Sequence, residues 1–238
     1  MLLQGKKGDS MLDVTAVLFA KGVSSRFPGK NLKPFAKKDG KTVPLLEWKI
    51  IQLLEVFKPE NILLSSDSEE IFSYGKKYGL KLHERSTELA NADMTTNLQA
   101  AASAVSTKYF MYTNGPCYPL IFPELYKEYL NFCAANKQYL SDGIFAVETI
   151  KGFLCYDEKF LNFSPNNMLY SQDLKNVERI VWGLATRETS KVLERGSLME
   201  NTKKTFVISN LEAIDIDYEN DFILAQAVLG DRIPSSKI

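Results

Sequence analysis

An apolar run over residues 14–20 passes directly into Lys21-Gly-Val-Ser-Ser-Arg-Phe-Pro-Gly-Lys-Asn31, and this junction constrains the fold more than any other stretch. A short apolar run bounded by a Gly- and Pro-containing segment reads as a strand buried on both faces, the kind found in parallel sheets covered by helices. The segment that follows combines small residues at Gly22, Ser24 and Ser25 with positive charge at Lys21, Arg26 and Lys30. Small residues let backbone N–H groups approach a polyanion closely, so the loop has the composition of a phosphate cradle. Its spacing is neither G-x-x-x-x-G-K-[ST] nor G-x-G-x-x-G, which argues against a P-loop or a dinucleotide fingerprint. The plainer alternative is a basic surface loop.

The rest of the chain alternates in the same style. Apolar runs at 61–66, 109–113 and 144–147 read as further buried strands, and helical patterns over 43–56, 69–78, 96–105 and 123–135 lie between or after them. Ser68 can cap the second helix, with Glu69 and Glu70 favourable in its first turn. Alternation of this kind predicts right-handed βαβ crossovers and a ligand at the carboxyl ends of the strands. The cradle, Asp67 and Asn114-Gly115 all fall at such ends.

Composition narrows the class. The 238 residues suit one α/β domain over 13–238, with residues 1–12 expected to be a poorly ordered tail. Lysine plus arginine and aspartate plus glutamate balance at 29 each, so no global field favours nucleic acid or an anionic membrane. Cys117, Cys133 and Cys155 fit no metal or disulfide spacing and suit a reducing cytoplasm. No apolar run reaches the ~20 residues that span a bilayer. A single histidine, His83, argues against histidine-based metal sites and Ser-His-Asp catalysis and reads as a surface or strand-end residue.

Near the other end, Ala213-Ile-Asp-Ile-Asp217 places Asp215 and Asp217 on one side of an extended segment and the isoleucines on the other. Two adjacent carboxylates repel unless a positive group lies near them, and a hard cation such as Mg²⁺ would serve. Alternatively Asp217 caps the helix that follows, read at 218–229.

The loop Ala20-Lys-x-x-Ser-x-Arg-x-Pro-x-Lys-Asn31 resembles the A-R-x-x-S-K-R-x-P-x-K-N signature of the acylneuraminate cytidylyltransferases, the CMP-sialic, CMP-pseudaminic and CMP-legionaminic acid synthetases. Arg26-Phe-Pro-Gly-Lys30 is also similar to the R-L-P-G-K of the CMP-Kdo synthetases. Three more matches follow in order: Ile62-Leu-Leu-Ser-Ser-Asp-Ser-Glu-Glu-Ile71, then Arg85-Ser-Thr-Glu-Leu-Ala90 with Thr95-Thr96, and finally Ile214-Asp-Ile-Asp217 with Asp221-Phe222. The resemblance implies a three-layer, Rossmann-like nucleotidyltransferase fold with a mainly parallel sheet. It also implies a small protruding lobe at about 148–180 for homodimerisation and acceptor contacts; the alternative there is a plain surface excursion.

By the same resemblance the chain transfers CMP from CTP to a nonulosonate-like sugar acid, releasing pyrophosphate, in surface-glycan (lipopolysaccharide or capsule) biosynthesis. Lys21, Arg26 and Lys30 would hold the triphosphate, with Ala20, Gly22, Ser24, Ser25 and Asn31 completing the cradle. Asp215 and Asp217 would bind Mg²⁺. Asp67, Arg85, Thr95 and Thr96 would line the nucleoside side, although Asp67, Thr95 and Thr96 could equally serve helix starts. Asn114, Gly115, Lys151, Gln172, Asp173 and Trp182 would face the acceptor. The chain departs from the family pattern at Lys21 (commonly Arg), at Ala92 (usually Asp), at Gly115 (a glutamine position) and at Trp182-Gly183 (where the family has N-G). The departures gather on the sugar side and point to a divergent acceptor. Two other readings stay open: a glycosyltransferase using Asp215-Ile-Asp217 as a D-x-D motif, and a nucleotide-binding homologue without activity.

Overall fold

The computed structural model describes residues 12–200 and 204–232; the expected tail, apart from Leu12, lies outside them. Eleven strands and seven helices follow one another as β1 (Val14–Ala20), β2 (Pro34–Lys38), β3 (Lys41–Pro44), α1 (Leu45–Leu54), β4 (Ile62–Ser66), α2 (Glu69–Tyr78), β5 (Lys81–Glu84), α3 (Thr87–Asn91), α4 (Met94–Ser103), β6 (Tyr109–Tyr112), α5 (Pro123–Ala135), β7 (Ile144–Ile150), β8 (Cys155–Tyr156), β9 (Lys159–Phe160), β10 (Val177–Glu188), α6 (Thr189–Arg195), β11 (Lys204–Ile208) and α7 (Glu219–Arg232). Seven strands form the central sheet in the order β11-β7-β10-β6-β1-β4-β5. β1 pairs in parallel with β4 and β6, and β4 with β5; β10 alone runs antiparallel to its neighbours β6 and β7. This is the mainly parallel α/β fold expected from the resemblance.

The layers follow from the pleat. Val14, Ala16, Leu18 and Ala20 of β1 point into one core with Leu46, Ile50 and Leu53 of α1, Ile71 of α2 and Tyr126 of α5. Val17 points the other way, onto Leu98, Ala101 and Ala102 of α4 and Val192 of α6. A strand buried on both faces therefore needs its continuous apolar run. A third cluster joins Phe27 of the loop, Phe35 and Val43 of the β2–β3 hairpin, Ile216, and Phe222, Ala225 and Leu229 of α7. No helix among the described residues is long and apolar enough to cross a membrane.

Local chemistry sets the element ends. Ser68 accepts from the Ile71 amide and Gly79 closes α2 in the left-handed region, so that helix has the predicted bounds. α1 starts two residues later than predicted because Val43 and Pro44 pair in the β2–β3 hairpin. α4 starts two residues earlier than predicted because Asp93, not a threonine, accepts from the Thr96 amide as its cap. In β10 the pairing to β7 jumps from Val181 opposite Ala146 to Ala185 opposite Phe145, so a bulge carries Trp182, Gly183 and Leu184. A Cβ on Gly183 would sit 2.9 Å from Tyr118 Cγ and 3.0 Å from its Cβ, so the bulge packs this closely on Tyr118 because the position is glycine. Residues 151–176 leave the sheet between its paired strands β7 and β10 and return, carrying the small β8–β9 hairpin. Phe153, Tyr156, Phe160, Leu161, Met168, Leu169 and Tyr170 are exposed on this excursion.

Candidate functional site

The carboxyl ends of β1, β4, β5 and β6 open onto one cavity of about 990 Å³. Lys21, Ser24, Ser25, Arg26, Lys30 and Asn31 line it from the loop after β1, and Asp67, Arg85 and Asn114 from the ends of the neighbouring strands. Asp215 and Asp217 line it as well, brought beside the loop by Arg26 and Lys30. Elements far apart in sequence thus bring most of the expected site residues together.

The loop is held by its own backbone. The Gly22 amide donates to Asp67 Oδ1 at 2.8 Å, and Asn31 Nδ2 donates to the Lys21 carbonyl at 2.8 Å. A Cβ on Gly22 would lie 2.8 Å from Ser68 Cβ, so the turn can sit on the start of α2 only without a side chain there. Asp67 therefore faces the cavity and holds the loop, while Ser68 takes the cap. Lys21 reaches Asn91 Oδ1 at 2.9 Å, and Ala20 contributes its carbonyl to Arg85.

The acidic segment is fixed at each position. Tyr118 donates its hydroxyl to Asp215 Oδ2 at 2.9 Å, and the Ile216 amide donates to the Cys117 carbonyl at 2.9 Å. Buried Lys30 donates to the Ile216 carbonyl at 2.6 Å and to Cys117 Sγ at 3.1 Å. Lys30 thus ties the loop to the acidic segment as well as lining the cavity. Arg26 pairs with Asp217 Oδ2 at 2.6 Å and lies over the Tyr218 ring. The capping alternative for Asp217 does not hold: Asp221 Oδ2 instead accepts from the amides of Asp217 and Tyr218. Burial, with a smaller contribution from the Asp217 charge, pushes the Asp215 carboxyl above the usual carboxylate range, against the pull of Tyr118, Lys30 and Arg179.

Arg85, expected on the nucleoside side, is buried. It donates to Asn97 Oδ1 at 3.0 Å and to the carbonyls of Ala20 and Ser65 at 3.3 Å, with its guanidinium over the Phe19 ring. Asn97, which the sequence reading missed, lines the cavity and locks the α3–α4 corner by donating to the Leu89, Ala92 and Asp93 carbonyls. A polar residue on the apolar face of α4, beside Leu98 and Ala101, was the signal that could have found it. Thr95 and Thr96 are exposed in the first turn of α4 and do not line the cavity; Thr95 packs where a Cβ on Gly196 would fall. Asp93 does not replace the missing family aspartate at Ala92, because it is spent on the α4 cap.

The expected acceptor side divides. Asn114 and Trp182 line the cavity, Asn114 accepting from the Tyr112 hydroxyl at 2.9 Å and Trp182 meeting Tyr112 edge-on. Gly115 is buried against β1 and is absent from the cavity lining. Lys151, which donates to Asn176 Oδ1 at 3.2 Å, and Gln172 and Asp173 in an exposed turn of the excursion, stand outside the cavity lining.

Among the described residues, the buried side-chain polar atoms without a partner are Asn31 Oδ1, Gln52 Oε1, Arg85 Nε, Thr186 Oγ1 and Asp215 Oδ1. Three of these five belong to cavity-lining residues. An unsatisfied buried polar atom costs about 1–3 kcal/mol, and their concentration here marks a surface shaped for a polar ligand. The two carboxylates offer hard oxygen donors, one of them the buried, unpartnered Asp215 Oδ1, a chemistry that would suit a divalent cation completed by phosphate and water. No group of three or more His, Cys, Asp or Glu among the described residues could hold a metal on its own.

A family model described as cytidylyltransferase matches residues 15–224. The chain is 25% identical over 228 residues to N-acylneuraminate cytidylyltransferase A of Danio rerio, covering 90% of this chain and 50% of the relative, so it spans half that protein's length. Its fold is similar to that of a CMP:2-keto-3-deoxy-manno-octonic acid synthetase complexed with CTP, at TM-score 0.67 and 14% identity over 93% of this chain and 100% of the other. It is also similar to 4-diphosphocytidyl-2C-methyl-D-erythritol synthase from Anaerococcus prevotii, at TM-score 0.61 and 15% identity over 92% and 97% of the two chains.

Proposed function

Because this chain belongs to the cytidylyltransferase family, we propose that it transfers CMP from CTP to a sugar acid and releases pyrophosphate. The observation that carries this reading is the cavity itself, where cations on the β1 loop face an acidic segment whose Asp215 keeps an unpartnered buried oxygen. In the proposed reaction an acceptor oxygen attacks the α-phosphorus of CTP and the bond to the bridging oxygen of pyrophosphate breaks. Charge then builds on phosphate oxygens, so the work is positioning and electrostatic stabilisation.

Lys21, Arg26 and the loop backbone orient the triphosphate, and Lys30 keeps the loop in register with the acidic segment. Arg85, fixed by Asn97, and Phe19 receive the base and ribose. Asp215 and Asp217 would hold Mg²⁺, which when bound offsets phosphate charge and lowers the cost of deprotonating the acceptor hydroxyl. Asn114 and the Tyr112–Trp182 pair form the acceptor wall. The sugar-acid class rests on the relatives' names and on the motifs quoted above, and we extend the proposal to a role in surface-glycan assembly.

The test is pyrophosphate release from CTP and Mg²⁺ across a panel of sugar acids. Release with at least one eight- or nine-carbon keto-sugar acid and none without acceptor is expected; no release with any member of the panel would sink the reading. The apolar side chains on the 151–176 excursion fit contact with a second copy of the chain. Sedimentation should therefore give a dimer mass, and a monomer at micromolar concentration would remove the proposed homodimer.

A further inference from the structure

The middle of α1 holds a lysine with no exposed surface. Lys49 Nζ donates to the Tyr118 carbonyl at 2.7 Å, to Tyr126 Oη at 3.1 Å and to the Ile121 carbonyl at 3.4 Å. No carboxylate pairs with it among the described residues. Its neighbours on α1 grip the same turn: Gln52 Nε2 and Trp48 Nε1 both donate to the Pro119 carbonyl, at 2.8 and 3.1 Å. Burial pushes the Lys49 ammonium down to about 7, so the fold holds a buried amine and its desolvation cost where a leucine or methionine would carry neither. Residues retained at such a cost usually fix something in place.

What is fixed here is the turn over residues 117–121, and this turn carries two ties to the acidic segment. The Tyr118 hydroxyl donates to Asp215, and the Cys117 carbonyl accepts from the Ile216 amide. A continuous set of contacts runs from Lys49 through Tyr118 to Asp215, although Lys49 itself does not line the cavity. We infer that Lys49 is a positioning residue: gripping the Tyr118 and Ile121 carbonyls from beneath, it sets the place of the Tyr118 ring and so of Asp215 for the proposed transfer. This inference rests on the proposed function for its consequence in turnover, but its structural core does not.

The test compares the full chain with Lys49→Met, which fills a similar volume without charge or donors. Amide exchange at Ile216 should accelerate by about tenfold or more while amides of β1 keep their protection. The kcat for pyrophosphate release should fall by about tenfold or more with the CTP KM within about twofold of wild type, because Lys49 touches no substrate. In a Tyr118→Phe background, Lys49→Met should lower kcat little further, since both act through one link. Unchanged Ile216 exchange, or acceleration spread evenly over the sheet, would overturn the inference. If wild type releases no pyrophosphate with any sugar acid, the functional reading fails, while Ile216 exchange still decides the role of Lys49. Should Lys49→Met not fold, Lys49→Gln, which keeps a donor but is too short for the Tyr118 carbonyl, is read in the same way.

Discussion

Replacing Asp215 with Asn is expected to slow pyrophosphate release by about 10³-fold or more, equivalent to about 4 kcal/mol of transition-state stabilisation. The substitution keeps the shape of the side chain and an oxygen that can still accept from Tyr118, so the fold should be preserved. It removes the charge that faces the cavity beside Asp217 and converts the unpartnered oxygen into a poorer cation ligand. Asp217→Ala should abolish turnover as well, and it also releases Arg26 from its ion pair. CTP binding measured without Mg²⁺ should not weaken in Asp215→Asn, since loss of a nearby negative charge favours a polyanion. Turnover within about tenfold of wild type at ordinary Mg²⁺ in either variant would remove that variant's aspartate from the mechanism.

Gly115→Ala is expected to be a severely damaging small substitution. Gly115 has φ +59°, and a Cβ there would fall 2.0 Å from the Phe19 carbonyl oxygen of β1. The left-handed backbone alone costs a non-glycine residue about 1–2 kcal/mol. The overlap is with backbone and not with a side chain that can turn away, so β1 and the turn after β6 must separate. A loss of about 3 kcal/mol or more in urea unfolding is expected, together with displacement of Asn114 and Cys117 from the cavity wall. A variant within about 1 kcal/mol of wild type would show that the turn can move, and with it the geometry argued for this side of the site. The family's glutamine has no room here: glycine at this position is required by the close approach, so position 115 offers no side chain to the proposed acceptor.

The parts of the fold that could be read from the chain were those with one dominant signal. Val14–Ala20 is apolar because both faces are covered, and α2 has a serine cap, an acidic first turn and a glycine stop at its correct ends. The long antiparallel strand β10 was not read, because its outer half is polar, with Glu178 and Arg179, and its period is broken by the bulge at Trp182. The cation loop and the acidic pair were legible as charges in unusual company. The residues that hold them were not: Arg85 to Asn97, Tyr118 to Asp215 and Lys49 to the Tyr118 carbonyl are hydrogen bonds across 12 to 97 positions of the chain, and no local spacing encodes such a partner. Thr95 and Thr96 illustrate the opposite case, where a motif match survives in sequence but α4 begins earlier and both threonines are exposed outside the cavity lining.

The central claim is that this cavity binds CTP together with a divalent cation, and calorimetric titration of the purified chain with CTP, UTP, GTP, ATP and UDP-sugars, each with and without Mg²⁺, tests it most directly. The account predicts selective binding of CTP, strengthened by Mg²⁺ and with that strengthening lost in Asp215→Asn. Preference for a nucleotide-sugar would contradict it and favour a glycosyltransferase using Asp215 and Asp217, and no binding of any nucleotide would leave a homologue without activity.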